Sequence, residues 1–182
     1  DIEISGCGNF IMDNIVVEQN DSLGYVIDHI SEFNGEIPLV LNFANPTTPG
    51  GGVRKGSRAQ EEDICRRTNL LKAIESDDVA EYYETNQYEF NCYNKNGFER
   101  GILTKNVTVF VDSNGELLDN PITIDVLTVA APYNRDGMVN VSSFGTMDRI
   151  VEMILSLAES EQYKVIVLGA FGCGAFNNDP EE

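Results

Sequence analysis

Two apolar runs that each break off into glycines constrain this chain most. Ile37 to Phe43 contains Pro-Leu-Val-Leu-Asn-Phe, is bounded by Gly35 and Pro46, and leads into Gly50-Gly51-Gly52. Val165 to Leu168 is a second such run and ends in the glycines at 169, 172 and 174. Continuous apolar runs of this length suit strands buried on both faces of a parallel sheet. Glycines directly after such strands let the main chain approach a ligand with no side chain in the way, and they permit φ > 0 where a loop wraps an anion. A bare triple glycine is equally a flexible strand-to-helix connector, so the clusters take their meaning from what surrounds them.

The rest of the chain alternates strand and helix patterns. Ile15-Val16-Val17 reads as a short strand, followed by Asp21-Ser22 and then Leu23, Val26, Ile27 and Ile30 at helical spacing. Between Arg58 and Ile74 the residues Ile64, Leu70, Leu71 and Ile74 predict helix, and an acidic helical stretch runs from Asp77 towards Tyr88. Val107 to Val111 and Ile122 to Val129 read as strands separated by an Asn114-Gly115 turn. Ser143 to Ser160 carries an amphipathic stripe of Met147, Ile150, Val151, Ile154, Leu155 and Ala158. The expected fold class is α/β, a three-layer α/β/α sandwich with a mixed, largely parallel sheet. Its 182 residues suit one domain with one core. Ligands in such sheets bind outside the carboxyl ends of the strands, where both glycine clusters fall.

A net charge of −18 argues against wide contact with a nucleic-acid backbone, which draws its energy from Lys and Arg on phosphates. No direct DNA binding is expected. Cys7, Cys65, Cys92 and Cys173 are scattered without a CxxC pair, and His29 is the lone histidine, so free thiols and no metal site are expected. No run of about 18 apolar residues is present and no leader is visible, which points to an intracellular protein with no membrane partner.

The first glycine cluster keeps notable company. Asn45 stands at the strand end, and Gln60-Glu61-Glu62 arrives where the next helix should begin. One loop therefore presents hydrogen-bonding, backbone and acid groups together. At a helix start the dipole favours ionised carboxylates, whereas burial beside a sugar favours the protonated form. A group balanced between the two can donate and accept a proton near neutral pH. Viewed alone, Glu61 and Glu62 are better explained by a solvated first turn stabilising its own helix. The second cluster, Leu168 to Pro180, can point several N–H groups at a diphosphate, with Phe176 packing on a sugar or base or simply filling core.

Gly50-Gly51-Gly52, a seven-residue spacer and Gln60-Glu61-Glu62 together resemble the signature of the microbial-type poly(ADP-ribose) glycohydrolases. The flanks Leu41 to Asn45, Ala59 to Arg67 and Gly169 to Pro180 are similar to the same family. The resemblance implies a macrodomain-like fold, no cofactor, and hydrolysis of the ribose–ribose bond of poly(ADP-ribose) to ADP-ribose. It makes Glu62 the catalytic acid and base and Glu61 the carboxylate that orients the ribose. It places Asn45 on the distal ribose, with Gly51 and Gly52 against that ribose and the diphosphate. Gln60, part of the signature, joins the substrate contacts. Gly172, Cys173, Gly174 and Ala175 become the second diphosphate loop, with Phe176 closing over the sugar. Gripping one terminal unit through backbone N–H groups reconciles a polyanionic substrate with the acidic chain.

Ordinary glycosidases use two carboxylates about 5 to 9.5 Å apart, while helix neighbours are splayed by about 100°. Glu61 and Glu62 are accordingly not expected to form such a pair. The partners implied are poly(ADP-ribose) or ADP-ribose and ADP-ribosylated proteins, with the chain acting as a monomer. Relatives continue past the Asn-Asp-Pro segment with another helix and a closing strand, which the sequence to Glu182 lacks. Two rivals share the fold: a hydrolase of mono-ADP-ribose on protein or nucleic acid, and a non-catalytic ADP-ribose reader. Arg54, Lys55 and Arg58 can touch phosphates or lie in a solvated loop, and Tyr133, Asn134 and Arg135 can line the cleft.

Overall fold

The computed structural model describes residues 15–93, 97–133 and 142–179. Among them, β1 (Leu39–Phe43), β2 (Gly101–Val111), β3 (Leu117–Val129) and β4 (Ile166–Val167) form one sheet in the spatial order β2-β3-β1-β4. β1 runs parallel to β3 from Leu39↔Asp125 to Phe43↔Val129, and parallel to β4 from Leu39↔Ile166 to Val40↔Val167. β2 and β3 are antiparallel, joined by a turn in which Gly115 takes φ +87°.

Successive residues of β1 bury on opposite faces, which is why its sequence reads as an unbroken apolar run. Val40 faces a core built with α1 (Ser22–His29), α2 (Gln60–Arg67) and α3 (Leu70–Ile74), where Leu23, Val26, Ile64, Leu70 and Ile74 meet Val109, Ile124 and Val126. Leu39 and Leu41 face the other core, where Ile150, Ile154 and Ala158 of α5 (Ser142–Ser160) meet Leu127 and Val129. Each such aliphatic side chain stabilises the fold by roughly 1.5–3 kcal/mol relative to leaving it in water. The expected helix–sheet–helix layering is therefore present, with one antiparallel strand at the β2 edge.

Several boundaries differ from the sequence reading. Ile15 to Val17 is not a strand: no neighbour among the described residues pairs with it and its side chains are exposed, Val17 at 93%. A β-branched triplet without a partner has no ladder to join. The helix predicted across Arg58 to Ile74 begins at Gln60 and is broken at Thr68, whose extended backbone bridges to Val109 of β2. β2 begins at Gly101, six residues before the apolar signal, because its first half is an edge segment with only partly buried side chains. β4 is shorter than Val165 to Leu168. No helix among the described residues is long and apolar enough to cross a membrane.

Candidate active site

The site begins where two neighbouring strands part. β1 extends to Phe43, but its pairing with β4 stops at Val40↔Val167. Leu39 N–H donates to Val165 O, so the odd-numbered residues of β1 point their backbone groups towards β4. Beyond Val167 the Leu41 carbonyl and the Phe43 N–H have no strand to meet. The side-chain amide of Gln60 takes both: its Nε2 donates to Leu41 O at 2.7 Å, and its Oε1 accepts from Phe43 N at 2.9 Å. A third bond runs from Nε2 to Ser22 Oγ at 3.2 Å. The amide thus imitates the next peptide group of β4 and welds the first residue of α2 to the central strand. Gln60, expected among the substrate contacts, has both ends of its amide engaged within the fold.

With Gln60 fixed, the next two residues turn inward. Glu61 is 3% exposed and Glu62 7%, so the picture of a solvated first turn does not hold. Glu61 Oε2 accepts from Asn45 N–H at 2.8 Å, and Glu62 Oε1 accepts from Gly52 N–H at 2.8 Å. Gly51 lies between them with φ +54°: a β-carbon there would sit 2.6 Å from Glu62 Oε1 and 2.9 Å from Glu61 Oε2. The helical splay between neighbours does not keep the two carboxylates apart, because both long side chains bend back onto the same glycine. Burial drives the Glu61 carboxyl up to about 7, assisted by the Glu62 charge and opposed by the N–H of Asn45, by Asn42 and by the N–H of Gly50. Glu62 Oε2 is buried and has no hydrogen-bond partner among the described residues.

Asn45 uses its own carbonyl oxygen to fold the loop, accepting from Thr47 N–H at 3.0 Å and Thr48 N–H at 2.9 Å. α4 (Ala80–Tyr93) covers this loop, with buried Asn86 donating to Pro46 O at 2.8 Å. Asn42, fully buried on β1, donates to Thr128 Oγ1 at 3.2 Å and stands beside Glu61. It was not among the expected site residues. An asparagine in the middle of an otherwise apolar strand is the signal that marks it.

The second glycine loop is stitched to the same end of the sheet. Gly169 packs on the Phe43 ring, and Phe43 and Phe171 meet edge to face at 5.6 Å. Gly172, with φ +80°, has no room for a β-carbon, which would lie 2.7 Å from that of Ala131. Asn178 secures the loop by donating to Pro132 O at 2.9 Å and Gly172 O at 3.1 Å, a role the sequence reading left unassigned. Gly174 and Ala175 are exposed at the loop tip, Cys173 is half-buried, and Phe176 is half-buried with its ring 5.6 Å from Tyr133. The loops after β1, β3 and β4 therefore gather at one end of the sheet. Asn134 and Arg135 lie outside the described residues.

Cys65, Cys92 and Cys173 are free thiols, and Cys7 lies outside the described residues. Burial and the nearby Glu61 and Glu62 push the Cys65 thiol up to about 12. His29 bonds Glu18 and Glu32 on the surface of α1, away from this end. Among the described residues no group of three His, Cys, Asp or Glu side chains is arranged to hold a metal ion. What the geometry offers is a buried carboxylate pair under a glycine arch, with one oxygen of each carboxylate held by a backbone N–H.

A family model described as the catalytic domain of microbial-type PARG matches residues 10–112. Among solved structures, a poly(ADP-ribose) glycohydrolase variant from Deinococcus radiodurans in complex with ADP-ribose is 27% identical with a TM-score of 0.79, over 90% of this chain and 64% of that chain. The Thermomonospora curvata poly(ADP-ribose) glycohydrolase bound to the inhibitor ADP-HPD is 28% identical with a TM-score of 0.79, over 90% and 60%. Another structure of the Thermomonospora curvata enzyme is 29% identical with a TM-score of 0.75, over 88% and 57%. This chain thus spans less than two thirds of the length of these structures. Among curated proteins none matches it.

Proposed function

The chain belongs to the microbial-type PARG catalytic-domain family, and on that premise we propose that it hydrolyses the ribose–ribose O-glycosidic bond of poly(ADP-ribose), releasing ADP-ribose. Glu62 is the general acid and base. The observation that carries this reading is the carboxylate's setting beneath the glycine arch: Oε1 is fixed by Gly52 N–H, while Oε2, like Oε1 of the neighbouring Glu61, is buried without a partner among the described residues. A buried orphan oxygen is costly to maintain and calls for a function. The protonated carboxyl gives its proton to the leaving ribose oxygen as the bond from the terminal anomeric carbon breaks. The carboxylate then takes a proton from the water that attacks the oxocarbenium ion, which restores the acid.

In the same reading Glu61 orients the ribose beside Asn45, and Gly51 and Gly52 bring backbone against the sugar and diphosphate. The glycines 172 and 174 with Cys173 and Ala175 flank the diphosphate from the second loop, and Phe176 covers the sugar. An intracellular, reducing setting and ADP-ribosylated proteins as carriers of the polymer belong to the same proposal. The unpaired thiols are in keeping with such a setting.

The test is Glu62→Gln. Release of ADP-ribose from polymer is expected to fall by at least about 100-fold, the usual scale of a lost general acid–base. Calorimetric binding of ADP-ribose should be retained. Turnover near the wild-type rate removes Glu62 from its role. Faster release from a mono-modified protein than from polymer reassigns the substrate.

A further inference from the structure

Beyond the glycine arch, on the outer side of the turn that follows it, lies a surface hollow of about 380 Å³ lined by Gly56, Arg58, Asp63 and Arg66. In a chain of net charge −18, five of the twelve Lys and Arg residues fall between positions 54 and 67. Their engagements differ. Arg54 is held by both oxygens of Glu75, and Arg67 is buried between Asp21 and Asp63. Arg66 donates to the neutral carbonyls of Val53 and Ser57, so its charge is not cancelled. Arg58 has no hydrogen bond or ion pair among the described residues. The carboxylate of Asp63 on the hollow wall is answered by Arg67 at 2.9 Å. What remains facing the hollow is two guanidinium groups with uncancelled charge.

The hollow is mechanically tied to the acid. Glu62 and Arg66 are four residues apart on α2, one helical turn along the same face. Ser57, whose carbonyl holds Arg66, packs against Gly52, and Gly52 N–H holds Glu62. Gly56 adopts φ +85°, with nothing near the site of a β-carbon, which leaves the rim open. Resting on the function proposed above, the diphosphate of the terminal unit belongs to the two glycine loops, and the unit on the leaving side of the scissile bond carries a second diphosphate that those loops do not hold. We propose that this hollow is that site: Arg58, supported by Arg66, binds a phosphate of the ADP-ribose unit adjacent to the one released. The planar guanidinium fork bonds two phosphate oxygens at once, and two such groups suit the several oxygens of a diphosphate.

Arg58 is exposed and structurally uncommitted, so Arg58→Glu should fold as the wild type does. With a poly(ADP-ribose) chain of defined length at low salt, Arg58→Glu is expected to raise KM about tenfold or more with kcat little changed. The dependence of log KM on log salt should shallow by about one, as for the loss of one phosphate contact. Affinity for free ADP-ribose should be unchanged, and Arg58→Lys should recover part of the loss. An unaltered KM for Arg58→Glu in a preparation whose wild type cleaves polymer overturns the subsite. An equal loss of affinity for free ADP-ribose overturns it too, since the residue would then belong to the terminal-unit site. A wild-type chain that releases no ADP-ribose overturns the function itself, and is seen before any variant is made.

Discussion

Gly51 and Glu62 are matched so closely that a side chain on the one would push the other aside: a β-carbon on Gly51 would stand 2.6 Å from Glu62 Oε1, and the backbone there has φ +54°. Gly51→Ala therefore meets two penalties. The left-handed conformation costs roughly 1–2 kcal/mol for an L-residue, seen as a lower denaturation midpoint. The added methyl also displaces the acid, and a misplacement of about 1 Å is worth about 100-fold in rate. Steady-state release of ADP-ribose by Gly51→Ala should fall on that scale; a variant with wild-type kinetics would show that the arch does not aim Glu62.

Glu61 makes the fold sensitive to pH. Burial pushes its carboxyl up to about 7 in the folded protein against 4.5 for the ordinary group. Below 4.5 it is protonated in both states and contributes nothing to pH dependence. As pH rises from 4.5 to about 7, the unfolded chain releases its proton first, so the folded state loses stability across that window and levels off above it. The full loss is of order 3 kcal/mol at about 1.4 kcal/mol per unit. Glu61→Gln keeps an acceptor for Asn45 N–H without the charge, and its melting temperature should exceed the wild type's by a margin that grows from pH 4.5 to 7. Parallel melting curves for the two proteins across that range would contradict the assignment.

Gln60 should behave as part of the sheet. Gln60→Ala strands the Leu41 carbonyl and the Phe43 N–H and should cost roughly 2 kcal/mol in urea denaturation, the scale of buried groups left unpaired. Gln60→Glu can still accept from Phe43 N–H, but it donates to Leu41 O only when protonated. Its stability should approach the wild type's in acid and decline as the carboxyl ionises. A Gln60→Glu deficit independent of pH would argue that the amide's donor side is dispensable.

The layered fold was legible because its signals are local. Val40 and its neighbours Leu39 and Leu41 are apolar in succession, and the stripe through Ile150, Ile154 and Ala158 repeats at the helical period. The acid doublet was legible from its place after three glycines. What escaped were relationships that depend on distant pairing. Ile15 to Val17 has strand composition but no partner among the described residues, and the first half of β2 has a partner but no apolar run. That Gln60 would stand in for missing strand could not be read from its position beside two glutamates, since the pattern contains nothing about where β4 ends. Asn178 was hidden for the same reason: its partner Pro132 lies 46 positions earlier.

The early parting of β1 from β4 gives this arrangement an internal safeguard. Because the residue that closes the gap is also the one immediately ahead of Glu61 and Glu62, a tilt of α2 large enough to carry these carboxylates away must also break the Gln60 bonds to Leu41 and Phe43. The placement of the two carboxylates and the hydrogen bonding of the central strand are thereby coupled through one side-chain amide.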